Sequence, residues 1–363
     1  MKVIKKIVLI LAIILLLPDI SFARRIRSSL NTPEIHMLLP LIVGAITSQD
    51  KEELRVLISE NPTLSSKSHW NNLFNNLDKD SWKADTYCTL AITSNRIREY
   101  RDAVEYYKQA SEEFKILDMF ENAGTKLKQA SFILKEKLIC YDEAIALIIE
   151  AAECFKEAGN HLMAGNTYSW AIDLTINNVT KHDDSQWLFD TYLACAQCFE
   201  NGEDYKKASV KYKSAAYLSA QKLHNPESSV LYNVKSAECA LKAAENLLVK
   251  ANPQDALLML KSAVKNYAQA ARTSKVILKN KSDFAFYSSL VAQSYYKIAE
   301  LYNQTGEVVL EKKAWIETTN YYLIAMQAYI ASNNRPLAED FRIQAALILE
   351  NIGMFEEAEK LFR

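Results

Sequence analysis

One eleven-residue phrase recurs along this 363-residue chain and constrains its fold more than any other feature. An aromatic residue opens the phrase, alanine stands fourth and eleventh, and a bulky apolar residue stands eighth. The phrase reads YRDAVEYYKQA from Tyr100, YDEAIALIIEA from Tyr141 and YKKASVKYKSA from Tyr205, with variants PQDALLMLKSA from Pro253 and FEEAEKLF from Phe355. Positions four, eight and eleven share one face of an α-helix. The phrase therefore predicts an array of stacked helical repeats.

The scarcity of helix-breaking residues supports an all-α chain. Glycine and proline number only 7 each, and no proline lies between Thr63 and Asn225. Proline costs about 3 kcal/mol in a helix interior, and glycine about 1 kcal/mol. The predicted helices cover residues 50–60, 68–77, 80–98, 100–116, 118–136, 141–158, 160–176, 184–201, 203–222, 226–248, 252–271, 282–304, 308–332, 335–351 and 353–362.

The spacing of the alanines predicts how the helices pack. Ala103, Ala123, Ala144 and Ala164 are 20, 21 and 20 residues apart. Small residues at such positions let two helices approach closely, and bulky residues beside them fill the grooves. We therefore expect antiparallel hairpins that stack on one another.

Residues at the predicted helix ends have typical capping roles. Gly159, Gly202, Gly306 and Gly353 fall between helices, where a residue with positive φ ends a helix. Asp50 and Asp183-Asp184 are placed to cap helix N-termini. Pro226, Pro253 and Pro336 fall near helix starts, where a missing N–H costs little.

The repeat phrase resembles the second helix of a tetratricopeptide repeat, and the segment Tyr192–Tyr205 resembles its first helix. The period is about 41 residues instead of the usual 34. The longer helices that this period implies resemble those of the soluble NSF attachment protein (SNAP) family. Segments 141–174 and 252–267 carry this likeness most clearly, and it covers roughly residues 80–363. The resemblance implies an all-α, right-handed α-solenoid of antiparallel helical hairpins (TPR/SNAP-like).

The N-terminus has the pattern of a targeting segment. Three lysines precede the apolar run Ile7–Leu17, which Pro18 ends, and Ser21-Phe22-Ala23 has small residues where a signal peptidase cleaves. We predict a signal peptide or membrane anchor at 1–23, an N-terminal cap region at 24–79 and the repeat domain at 80–363. Within the cap region, the apolar stretch 37–46 predicts a short helix over the first apolar face, or a second membrane contact as the alternative.

Charge and motif content argue against two classes of function. The formal net charge is −1, with 43 basic and 44 acidic residues. The chain therefore lacks the excess of basic residues that is typical of nucleic-acid-binding proteins. The sequence contains neither HExxH nor a glycine-rich phosphate loop. We therefore predict a protein that is not an enzyme and that has no catalytic, cofactor-binding or metal-binding residues.

The six cysteines include one motif with chemical meaning, Cys195-Ala-Gln-Cys198. CxxC occurs in redox pairs and as half of a zinc site. Both cysteines also fall at small-residue packing positions of a repeat helix, where free cysteine behaves as a small hydrophobe. Packing is the preferred interpretation, with redox or metal chemistry as alternatives.

Three features bear on partner binding. The basic cluster Lys206, Lys207, Lys211 and Lys213 is a solvated face or a contact for an acidic partner helix. The sequence contains three tyrosine doublets, Tyr106-Tyr107, Tyr295-Tyr296 and Tyr321-Tyr322. In each doublet we expect one ring to enter the core and the other to lie near the surface; the alternative is that these rings line a binding surface. The positions that would form a carboxylate clamp are mixed and often acidic, so binding of a peptide C-terminus is disfavoured.

Two functions follow as predictions. The first is a non-catalytic adaptor that binds helical or coiled-coil partners on a concave surface, SNAP-like in membrane-associated assembly or trafficking. The SNAP resemblance implies it, because that family grips a coiled-coil bundle through charged residues. The alternative is an exported (periplasmic or secreted) or membrane-anchored tetratricopeptide-like protein that organises an extracytoplasmic assembly. The family resembled acts in the cytosol, so a cytosolic, membrane-peripheral location stays open.

Overall fold

The structure, a computed structural model, describes residues 37–61, 64, 68–178 and 184–362. Every regular element in these ranges is helical. The chain forms two compact units, one on each side of the bond between Ile139 and Cys140. The all-α prediction is confirmed, whereas the predicted segment 1–23 lies outside the described residues and the boundary at residue 79 stays a prediction.

In its described residues the first unit contains six α-helices and ends in a π-helical turn, Leu134–Leu138. The helices are α1 (37–47), α2 (Lys51–Glu60), α3 (Ser68–Asn76), α4 (Trp82–Arg96), α5 (Tyr100–Ile116) and α6 (Phe120–Ile133). Helix α1 falls where a short helix was predicted, and its residues Leu39 and Ile42 join one core with Trp70 and Trp82.

The second unit is a series of helices, most of them 17 residues or longer, in which each helix packs against the next. They are α7 (Tyr141–Glu157), α8 (His161–Asn177), α9 (Ser185–Asn201), α10 (Tyr205–Gln221), α11 (Pro226–Val249), α12 (Pro253–Val276), α13 (Lys281–Thr305), α14 (Val308–Ala331), α15 (Arg335–Asn351) and α16 (Phe355–Lys360). Because most connections are only a few residues long, consecutive helices run antiparallel.

The alanine register of the sequence is the packing register of the structure. Ala103, Ala144, Ala208 and Ala256, each at the fourth phrase position, are fully buried. The bulky residues at the eighth position, Tyr107, Ile148, Tyr212 and Leu260, are buried beside them. The predicted hairpin packing is therefore confirmed in each unit.

Helix starts follow the predicted capping chemistry. Asp50 Oδ1 accepts a hydrogen bond from the Glu53 amide at 2.9 Å, and Asp184 Oδ1 accepts one from the Gln186 amide at 2.9 Å. Such bonds satisfy amides that have no partner within the helix. Asp183 lies outside the described residues, so its capping role stays a prediction.

Glycine at the helix ends serves two different purposes. Gly159, Gly306 and Gly353 adopt positive φ, as predicted. At Gly202 the prediction is wrong, because its φ is −87° and Glu203 has the positive φ of 60° instead. A Cβ on Gly202 would lie 2.8 Å from Leu162 Cδ2, so glycine is needed there for close approach of α9 to α8.

Candidate functional site

The predicted lysine cluster lies on α10, but its four members do not share one face. Lys207 and Lys211 are four residues apart and lie on one flank of the exposed side, whereas Lys206 and Lys213 are seven apart and lie on the other. Lys206, Lys207 and Lys213 are exposed, and Lys211 is half-buried. The structure thus separates the predicted cluster into two pairs.

Lys207 and Lys211 are held by the neighbouring helices. Lys207 Nζ lies 3.1 Å from Asp204 Oδ2 and donates to Asn166 Oδ1 at 3.3 Å. The same ammonium lies 5.0 Å from the Phe199 ring centroid. Lys211 Nζ lies 5.6 Å from the ring centroid of Tyr192. Each cation–π contact stabilises the structure by about 0.5–1 kcal/mol at an exposed site. Part of each ammonium group still faces solvent.

Buried tyrosines in two successive hairpins bond to a glutamate on the preceding helix. Tyr212 Oη donates to Glu200 Oε2 at 2.7 Å, and Tyr168 Oη donates to Glu153. Burial, followed by these hydrogen bonds, raises the pKa of both phenols. A lysine accompanies each pair, since Lys242 Nζ lies 3.9 Å from Glu200 and Lys156 pairs with Glu153. The arrangement satisfies buried polar groups and is structural.

None of the six cysteines forms a disulfide; Cys140 is half-buried and the other five are buried in the helix packing. Cys195 Sγ donates to the Gly165 carbonyl at 3.3 Å. Burial raises the pKa of the Cys198 thiol to about 11 and that of Cys239 to about 12. No group of three or more His, Cys, Asp or Glu that would hold a metal occurs in the described ranges. The CxxC pair therefore has the setting of packing residues.

This setting predicts slow alkylation of the cysteines. In native protein at pH 8 we expect iodoacetamide to label Cys140 first, because the other five thiols are buried. Burial also raises the pKa of Cys88, Cys195, Cys198 and Cys239, which disfavours the thiolate that acts as the nucleophile. Peptide mass spectrometry after timed labelling measures this, with urea-unfolded protein as the control in which all six react. Labelling of Cys195 or Cys198 as fast as Cys140 would support the redox interpretation.

A groove that the sequence analysis did not predict runs between α12 and α14, and its floor consists of α13 and the adjoining face of α14. It consists of two cavities of about 600 Å³ and 380 Å³. Tyr321 lines the larger cavity and Tyr295 lines the smaller, and the two rings stack at 5.7 Å. We call this surface the α12–α14 groove. It lies entirely within the second unit.

The groove is apolar at its base and basic along its sides. Ile324 and Ala328 lie in the larger cavity, and Leu310 and Ile298 in the smaller. Glu317 is the single carboxylate lining either cavity. The cationic residues of the two linings are Lys261, Lys265, Arg272, Lys275, Lys279, Lys281 and Lys313.

The tyrosine doublets divide between core and surface. Tyr107 and Tyr322 are buried while their neighbours are half-buried, as predicted. In the third doublet neither ring is buried, because Tyr295 is half-buried and Tyr296 is exposed. Tyr295 and Tyr321 instead line the groove, so these two rings match the alternative interpretation of a binding surface.

The described residues include no helix with the length and apolar run needed to cross a bilayer.

Comparison with known proteins finds a family model and solved structures to which the chain is similar. The family model described as soluble NSF attachment protein, SNAP, matches residues 71–229. No curated protein sequence matches the chain significantly. Among solved structures, a tetratricopeptide repeat protein from Parabacteroides merdae is 14% identical, with 71% of this chain and 98% of that chain covered and a TM-score of 0.26. The TPR2AB domain of yeast Sti1 in complex with a pHSP90 is 12% identical, with 70% and 98% covered and a TM-score of 0.24.

Proposed function

We propose that this chain, whose helical repeats are of the tetratricopeptide, SNAP-like kind, is a non-catalytic adaptor that binds helical segments of partner proteins. The α12–α14 groove is the observation that carries the proposal. It combines an apolar, tyrosine-bearing floor with basic sides. Tyrosine and arginine are enriched in protein interfaces, where an apolar centre is surrounded by a polar rim. Binding, and not chemistry, is what such a surface offers.

The perturbed titratable groups support a binding role. The hydrogen bond to Glu153 is the first cause of the raised pKa of Lys156. The other groups with clearly raised pKa values are tyrosines and cysteines, and burial is the first cause for each of them, as for Tyr107, whose pKa rises to about 12. Catalytic groups are perturbed by burial together with a charge partner in a cleft. In this chain the perturbed thiols face the hairpin packing.

The match of residues 71–229 to the SNAP model supports a SNAP-like part in a membrane-associated assembly. The lysines of α10 lie within that segment, and Lys207 and Lys211 are a second candidate contact for an acidic partner helix. Affinity purification of tagged full-length protein from its host tests this role. We expect the wild-type protein to recover a protein partner, and we expect the double variant Lys207→Glu with Lys211→Glu to recover less of it. Recovery of no partner under mild cross-linking would contradict the adaptor role itself.

An exported or membrane-anchored organiser of an extracytoplasmic assembly is the second candidate, and the signal-like pattern of residues 1–23 favours it. Fractionation of tagged full-length and Δ1–23 forms, with N-terminal sequencing, tests it. A mature chain that begins at Arg24 would support export, and an intact N-terminus in a membrane fraction would support an anchor. Intact Met1 on soluble cytosolic protein would exclude both and leave the cytosolic, membrane-peripheral location.

A further inference from the structure

The basic side of the α12–α14 groove is a row of four cations on one helix. Lys261, Lys265, Arg272 and Lys275 are 4, 7 and 3 residues apart on α12. At roughly 100° per residue these intervals keep all four on one stripe of the helix. The row spans 14 residues, which is roughly 21 Å at 1.5 Å per residue. It therefore matches the length of about four turns of a partner helix.

The cations of the groove have no acidic partner among the residues that the structure describes. None of the seven forms an ion pair within 4.0 Å in the described part of the chain, whereas Lys207, Lys242 and Lys297 each reach a carboxylate. Aromatic faces hold two of the seven instead. Lys275 Nζ lies 4.7 Å from the Phe284 ring centroid, and Lys261 Nζ lies 5.8 Å from that of Tyr302. An ammonium placed in this way keeps N–H donors for a ligand.

The floor of the groove supplies apolar contact along the same length. Ile324 is 37% exposed and Leu310 is 40% exposed, although both lie beside buried neighbours. The stacked rings of Tyr295 and Tyr321 lie between the two cavities. A helix that buries an apolar stripe here would place its flanking residues against the basic row. In helix-in-groove binding of this kind, residues i, i+3, i+4 and i+7 of the partner helix contact the groove.

We propose that the α12–α14 groove binds an acidic amphipathic α-helix of a partner protein, with the apolar face of that helix on the tyrosine floor and its carboxylates along the α12 row. The proposal rests on the adaptor function and names the chemistry of the partner. A recessed, apolar floor favours an inserted helix over a flat anionic bilayer. Nucleic acid carries one charge per phosphate but offers no apolar stripe for this floor.

A peptide titration on the full-length protein tests the proposal. The probe is a fluorescein-labelled 21-residue helix with leucine at i, i+3, i+4 and i+7 positions and glutamate on both flanks. Fluorescence anisotropy should show saturable binding that weakens as salt is raised from 50 to 200 mM. Lys265→Glu with Lys275→Glu should weaken it by about tenfold or more, because charge reversal across an interface costs affinity. Lys265→Gln with Lys275→Gln should give a smaller loss in the same direction.

Matched controls separate this site from general electrostatics. Lys222→Glu with Lys250→Glu makes the same charge change at exposed lysines outside both cavities and should leave the affinity within about twofold. Circular dichroism confirms that each variant is folded. The same helix with glutamine replacing glutamate should bind at least tenfold more weakly.

Several results would overturn the proposal. Among them are no binding of the acidic helix, equal loss in the control pair, and tighter binding of single-stranded DNA or of phosphatidylserine vesicles. If affinity purification recovers a partner but the titration fails, the adaptor function stands and the groove assignment falls. If no partner is recovered, the adaptor function itself fails.

Discussion

Replacing Phe199 with alanine is expected to lower the free energy of unfolding by about 3–5 kcal/mol, the range for removing a fully buried aromatic ring. Phe199 lies on α9 with 0% of its surface exposed. Its ring packs against Gly165 of α8 and carries the Lys207 ammonium on its face at 5.0 Å. Alanine would leave a cavity between α8 and α9 that neighbouring side chains fill only in part. Urea unfolding followed by circular dichroism measures the change.

Phe286→Ala is the matched control for this prediction. Phe286 lies on α13 in the same unit with 50% of its surface exposed, so its removal should cost no more than about 1 kcal/mol. The α8–α9 packing described above would be contradicted if the two variants were equally stable.

Gly165→Leu is expected to destabilise the protein by about 1–3 kcal/mol, the usual cost of overpacking. Glycine is a poor helix residue, so at an open site the same substitution would gain about 1 kcal/mol of helix propensity. At Gly165 even a Cβ would lie 2.9 Å from the ring atoms of Phe199, and that ring is fully buried and has little room to move. The clash should therefore outweigh the gain, and the urea midpoint should fall.

Two comparisons show whether close approach is the cause. Gly44→Leu, on α1, has no heavy atom within 4 Å of the added Cβ and should not destabilise. In the Phe199→Ala background, Gly165→Leu should cost much less, because the leucine enters the space that the ring has left. Independent effects in this double-mutant cycle, with no coupling, would show that the two residues are not in contact.

Helix positions could be predicted from the sequence because local rules decide them. The alanine register, the Asp50 cap and the helix-starting Pro226 and Pro253 all appear in the structure as expected. Helix α12 extends five residues beyond its predicted end, to Val276. No glycine or proline marks that end, and Lys279 adopts the positive φ in the turn that follows.

The turns show where residue type is a weak guide. Positive φ occurs at non-glycine residues such as Arg98, Asp118 and Ala251, which lie in the turns between consecutive helices. Gly202, in contrast, has ordinary φ and is glycine because of its approach to Leu162. The reason for a glycine is visible in the packing and not in its place between two helices.

The candidate site was harder to predict than the fold. The α10 lysines stand out because they are close in sequence, yet they divide between two flanks of the helix. The α12 cations are spread over 14 residues and do not stand out in composition. Their spacing of 4, 7 and 3 is a helical signal that was available in the sequence. The contribution of α14 was not available, because it depends on how α13 lies between the two helices.

Site-specific photo-cross-linking in the host cell tests most directly whether the α12–α14 groove is the partner-binding surface. Benzoylphenylalanine at Ile324 would probe the groove, and at Tyr217, 64% exposed on α10, would serve as the surface control. We expect a discrete adduct at 324 that mass spectrometry traces to an acidic helical segment of another protein. Lys265→Glu with Lys275→Glu should abolish that adduct. No adduct at 324, or one that persists after the charge reversal, would contradict the account.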